Sequence, residues 1–134
     1  MRKIGLLFCV CIVLASCEKQ EQTLTQDEIY AKAILGSWVV SKLDKSYGTK
    51  GGISTYFDDG TLTHIGYKTG KCEEVVQDLK GHWRIESQQL IIELMSGQNK
   101  LTIVDKIELL SGSKMMLKAN DGTMLHRSKS SICL

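Results

Sequence analysis

Residues 52–66, GISTYFDDGTLTHIG, decide the fold: two short strand-like runs, 52–58 and 61–66, meet at Asp58-Asp59-Gly60. Aspartate and glycine tolerate the positive φ of a tight turn, so the stretch predicts an antiparallel hairpin. Outward from it the same texture continues. Brief apolar runs, often alternating, are separated by Gly, Asn, Asp and Ser at intervals of about 8 to 12 residues, the signature of an antiparallel all-β domain. Strands are predicted near 37–43, 52–58, 61–66, 81–86, 89–95, 100–109, 114–119 and 122–127, with 71–76 as a weaker ninth. Asn120-Asp121-Gly122 offers a second tight hairpin, and FDDGTL and ANDGTM resemble each other as turns. Ser87-Gln88-Gln89 and Ser111-Gly112-Ser113 make looser connections.

Within 100–109, Leu101, Ile103, Ile107 and Leu109 alternate with Thr102, Val104, Lys106 and Glu108, which predicts one buried and one largely wet face. Asp105 falls on the inner face and breaks the pattern. The chain has no proline, in keeping with unbroken ladders, because proline cannot donate to them. About 110 residues of short strands build one domain around one core. Sequential hairpins favour a single up-and-down barrel of about eight strands, which also removes exposed edges.

Ahead of this domain the sequence changes character twice. Asp27 opens a segment in which Ile29, Tyr30, Ala33 and Ile34 fall at near-helical spacing, Thr25 or Asp27 can cap the start and Gly36 can stop it. A short helix over 26–35 follows, too short to stand without packing. At the extreme N-terminus, Arg2 and Lys3 precede an unbroken apolar run from Ile4 to Ala15, too short for a membrane span of about 20 residues but right for an export signal. Leu14-Ala15-Ser16-Cys17 resembles the lipobox of bacterial lipoproteins. That resemblance implies cleavage after residue 16 and lipidation of Cys17, and so an anchor in the bacterial cell envelope, with the outer membrane favoured over the inner because Glu18 is not aspartate. The organisation expected is a signal at 1–16, a lipidated start and polar tether at 17–26, and the barrel domain at 27–134.

Seventeen Lys and Arg face 15 Asp and Glu, and Arg2 and Lys3 supply the whole excess, so the processed chain is formally neutral. No long basic run is present, which argues against nucleic acid and against an electrostatic hold on anionic lipid. Attachment to the membrane would then rest on acyl chains, of which a single one binds only marginally. Of five cysteines, Cys9 and Cys11 would leave with the signal and Cys17 would be lipidated. Cys72 and Cys133 remain, either as one disulfide in an oxidising compartment or as an unpaired couple with Cys133 frayed at the end.

Gly36-Ser37-Trp38 opens the first strand directly after the short helix, and here the chain resembles the lipocalin-like, or calycin-type, families, most closely small bacterial lipocalin-like lipoproteins with an Asp-Gly-Thr hairpin like Asp59-Gly60-Thr61. In those families the tryptophan of a Gly-x-Trp closes the barrel floor beneath an arginine of the last strand, roles that Trp38 and Arg127 would fill. The resemblance implies a binding module for a small apolar or amphipathic molecule. An eight-stranded barrel is just wide enough to be filled by side chains or to hold one small ligand, and the sequence leaves both open. Inward positions are expected at Trp38, Phe57, Trp83, Ile85, Leu90, Ile92, Leu94, Met115 and Leu117. A ligand cavity would draw on Tyr56, Phe57, Trp83, Ile85, Ile92 and Met115, and Tyr47, Tyr56 and Tyr67 are candidates for a mouth.

Other constellations carry little. His64, His82 and His126 lie on separate strands without metal-ligand spacing, and His82 and His126 are expected to point outward. Ser111-Gly112-Ser113-Lys114 fits a Ser-x-x-Lys pattern only by chance, in a turn. Asp58-Asp59 and Glu73-Glu74 are adjacent pairs whose side chains diverge in a strand. No catalytic, cofactor or metal residues are therefore assigned, and the chain is read as a non-enzyme. Residues 66–81, GYKTGKCEEVVQDLKG, form the least regular stretch, where binding often sits. The competing functional expectation is an interaction or inhibitor protein with a filled barrel, whose loops or open edge contact an envelope partner.

Overall fold

Thr25 starts the single helix, α1 (Gln26–Ala33), through a capping box: its Oγ1 accepts the Glu28 N–H and its own N–H donates to the Glu28 carboxylate at 2.7 Å. Asp27 and Glu28 in the first turn and Lys32 in the last complement the helix dipole. The computed structural model describes residues 22–40, 51–68 and 72–129. The expected signal at 1–16, Cys17, Tyr47, Cys133 and the end of the expected 37–43 strand lie outside them. The helix is shorter than predicted, and Ile29 is 46% exposed rather than packed. What holds α1 in place is Asp27, whose carboxylate accepts the N–H groups of Ser87 and Gln88, both at 2.8 Å. These two residues take the left-handed conformation at the turn they form, with φ of 51° and 61°, so the helix is fastened where the backbone is most constrained.

Eight strands follow: β1 (Gly36–Val40), β2 (Gly51–Tyr56), β3 (Thr61–Tyr67), β4 (Val75–Glu86), β5 (Gln89–Ser96), β6 (Asn99–Leu110), β7 (Lys114–Lys118) and β8 (Met124–Lys129). Each pairs antiparallel with the next and β8 pairs with β1, closing the barrel. The predicted all-β up-and-down architecture is therefore the one observed. The two DG hairpins are built alike. In each, Gly60 or Gly122 has positive φ, the preceding aspartate, Asp59 or Asp121, accepts the N–H of Thr61 or Thr123, and the glycine N–H returns to Phe57 or Ala119. Asp59 also accepts the Thr61 hydroxyl at 2.6 Å, and that bond, with the Thr61 N–H, holds its carboxyl below the usual aspartate range.

Two strands depart from expectation. Much of the irregular stretch 66–81 is ladder, since β4 runs unbroken from Val75 and takes in 81–86 together with the last two residues of the weak 71–76 run, whose residues 72–74 are not strand. Its charges hid it: between Val75 and Lys80 only Leu79 is a buried apolar residue, and Val75 and Val76 are both exposed. In β6 the register shifts between Ile107 and Leu109, so Leu110 packs on the core and Leu109 turns out, 43% exposed, against the strict alternation predicted. Asp105 does face inward, as the pattern required, and is 3% exposed.

The core fills the barrel near α1 with Ile34, Trp38, Tyr56, Leu90, Ile92, Met115 and Leu117 and continues through Leu62, Leu79, Leu94, Ile103, Ile107 and Leu125. Trp83 and Ile85 pack half-buried against it, and Trp83 meets Tyr56 edge-to-face at 5.8 Å between centroids. Gly81 is required where β4 crosses β5, because a Cβ there would overlap the Glu93 carbonyl. Gly81→Ala is expected to cost about 1 to 3 kcal/mol as an overpacking change, read as a drop in thermal midpoint. An unchanged midpoint would contradict this close approach.

Candidate functional site

The end of the barrel next to α1 is closed. Trp38 is fully buried, its Nε1 donates to the Ile34 carbonyl at 2.6 Å, and the Lys129 Nζ lies 5.4 Å from the centre of its ring. Lys129 sits opposite Trp38 in the register, a neighbour that sequence reading did not single out. Arg127 lies two residues earlier in β8, buried, opposite Val40 and Met115. Tyr56, Ile92 and Met115 are fully buried core residues and Trp83 and Ile85 flank them. Phe57 corrects the inward prediction: β2 ends at Tyr56 facing in, the next position faces out, and Phe57 is 42% exposed with its carbonyl accepting the Trp83 indole N–H at 3.0 Å. Tyr56, proposed for a mouth, instead stands at the closed end.

Further up the interior, Ser54 on β2 and His64 on β3 face each other, both fully buried, with 2.9 Å between Oγ and Nδ1. Gly52 makes room for the imidazole, since a Cβ there would lie 2.8 Å from His64 Cε1. Among the described residues, Asp105 and Arg127 complete a set of four buried polar side chains inside a mostly apolar barrel. His82 and His126 are exposed, as predicted.

The opposite end is not level. The β5–β6 ladder runs its full length from Gln89↔Lys106 to Ser96↔Asn99, whereas β6 meets β7 only from Lys106↔Lys118 onward. Residues 99–105 of β6 therefore have no strand beside them on the β7 side among the described residues. Across this gap stands the tight β7–β8 turn, fixed by the Ala119 N–H to the Thr123 carbonyl at 2.9 Å. Between them lies a slot of about 350 Å³ lined by Leu101, Ile103, Asp105, Ala119, Thr123 and Leu125, with Asn120 and Asp121 at its rim. None of the residues expected to line a cavity is among them. The slot arises because two neighbouring strands differ in length, which no local pattern in the sequence records.

A second depression, about 480 Å³, lies at β3, β4 and β5 and is lined by Thr61, Thr63, Lys80, His82 and Met95 together with Leu62 and Gly81. Beside it, Glu93 takes the Lys100 ammonium at 3.0 Å and Arg84 at 3.7 Å. The Lys100 hydrogen bond, aided by the charges of Lys100, Arg84 and His82, holds the Glu93 carboxyl below its usual range. Among the described residues no group of His, Cys, Asp or Glu is placed to hold a metal ion, and no helix is long and apolar enough to cross a membrane.

A closed eight-stranded antiparallel barrel with a short helix before its first strand is a lipocalin-like fold. The chain is similar to a lipocalin-like protein from Bacteroides uniformis of known crystal structure, with a TM-score of 0.57 and 18% identity over 73% of this chain and 99% of that one. At that identity the likeness concerns the fold. No protein-family profile and no curated protein matches the sequence.

Proposed function

We propose that this chain is a lipid-anchored binding module of the bacterial cell envelope, tethered through Cys17 and holding a small apolar or amphipathic molecule at the slot end of its barrel. The observation that carries the ligand part is the slot itself, with apolar Leu101, Ile103 and Leu125 beside polar Asp105 and Thr123. A concave, mainly apolar site with a few polar groups is the usual form of a small-molecule site. The anchor part rests on the sequence Leu14-Ala15-Ser16-Cys17. Cys72 is disulfide-bonded, and its partner lies outside the described residues. On the processed chain the proposed partner is Cys133, because the remaining cysteines are removed or lipidated.

A mass spectrum of the organic extract of purified residues 18–134 tests the ligand. One co-purified lipid-like species, lost on Ile103→Trp, is expected. An extract without it, together with no perturbation of residues 101–105 by added lipids, would withdraw the ligand. Cys17→Ser should move the protein from membrane to soluble fractions, and continued sedimentation with membranes would contradict the anchor.

A second reading, an interaction protein whose barrel is filled, is favoured by the interior itself. Trp38, Tyr56, Leu62, Leu90, Ile92, Leu94, Met115 and Leu117 are all at most 1% exposed. One stoichiometric envelope protein captured by the intact chain, with no extractable lipid, would favour it over the first.

A further inference from the structure

We infer that the closed end of the barrel rests on the bilayer surface through its exposed apolar side chains. This inference rests on the lipid-anchor reading and gives the anchored domain a face toward the membrane. In an up-and-down barrel alternate turns share an end, so the β2–β3, β4–β5 and β6–β7 turns lie at the end where β1 starts. The Ser87 and Gln88 N–H groups that donate to Asp27 bring α1 to the same end. Four large apolar side chains are exposed to water there: Leu24 just ahead of the helix, Ile29 on it, Phe57 in the β2–β3 turn and Leu109 near the close of β6. Lys32, Lys114 and Lys129 at this end are offset by Glu28, Glu86 and Glu108, all exposed, so charge neither draws this face to anionic lipid nor repels it.

The length of chain ahead of the helix and the place where it joins the barrel name the occupant. From Cys17 to the capped Thr25 the polar run reaches at most about 30 Å when fully extended. β6, twelve residues long, runs from one end of the barrel to the other, a height of about 30 Å at the usual rise and tilt of barrel strands. The remaining exposed apolar side chains, Val75, Val76, Met95, Leu101 and Met124, belong to the slot end. Lipid contact there would need the run drawn taut along the whole flank of the barrel, whereas contact at the closed end leaves it slack. A short tether also keeps the closed end at high effective concentration beside the bilayer, so burial of a few half-exposed side chains is enough to hold it there.

Both tryptophans stand at this end, and half-buried Trp83 donates its indole N–H to the Phe57 carbonyl at 3.0 Å, so native fluorescence reports the contact. The test places the lipidated chain on phosphatidylcholine vesicles with and without bromine at the upper acyl carbons and reads sedimentation and tryptophan emission on one sample. The expected result is co-sedimentation with emission quenched by the brominated lipid, at low and at high salt alike. Ile29→Glu combined with Phe57→Glu should lose the quenching and keep the sedimentation, and Met95→Glu combined with Met124→Glu should keep both. Sedimentation without quenching overturns the inference and leaves the anchor intact, as does quenching that the Ile29 and Phe57 changes do not reduce. A chain that stays in the supernatant withdraws the anchor and this inference with it. The bromine comparison is made on the unaltered chain, so it decides the matter even where a glutamate variant does not fold.

Discussion

Trp38→Ala is expected to destabilise the protein by about 3 to 5 kcal/mol, the range for truncating a large aromatic in a core. Three losses coincide at this position. The indole is wholly buried among Ile34, Tyr56 and Met115, so its removal leaves a void at the point where the barrel closes. Its Nε1 is the donor to the Ile34 carbonyl just past the C-terminal end of α1, so the tail of the helix loses its link to β1. The Lys129 ammonium, 5.4 Å from the ring centre, loses its cation–π partner. Trp38→Phe, which keeps an aromatic ring but not the donor, should cost clearly less. Equilibrium denaturation of both variants checks the ordering, and a near-neutral alanine variant would show that the closed end does not depend on this residue.

Breaking the disulfide at Cys72 is expected to cost about 4 kcal/mol if the partner is Cys133, because the bridge would then close a loop of about 60 residues in the unfolded chain. Cys72 lies between β3 and β4, beyond the ladder bond from the Lys68 N–H to the Glu74 carbonyl and the ion pair of the same two residues at 3.1 Å. That ion pair is well exposed and contributes little by itself, so the covalent link is the main restraint there. Cys133→Ser should lower the denaturation midpoint, expose one titratable thiol at Cys72 and abolish any further effect of reductant. A variant with unchanged stability and no new thiol would reassign the bridge.

The barrel was legible where local chemistry and global fold agree. Asp58-Asp59-Gly60 and Asn120-Asp121-Gly122 announced their hairpins because positive φ leaves few residue choices, and Gly36-Ser37-Trp38 announced the start of the first strand. Asp105 was read correctly as inward from its position in an alternating run. What escaped depended on partners distant in sequence. β4 looked irregular because its outer face is charged and its first two valines are exposed, and its pairing with β3 decides the matter. Leu109 was misplaced by a bulge, and Phe57 by one residue of turn. The place of Lys129 beside Trp38 escaped because it depends on the β1–β8 register. The slot was invisible because it is the difference between a twelve-residue strand and a five-residue one.

The fastening of α1 through Asp27 has a directional result. The chain reaches the barrel from the side that Trp38 seals, and the nine residues from Cys17 to Thr25 extend at most about 30 Å. If acyl groups hold residue 17 in a bilayer, the attachment leads off the sealed end and the slot lies at the end of the barrel farther along the chain's path from the anchor. A molecule bound in the slot would then sit at the opposite end of the barrel from the point of attachment.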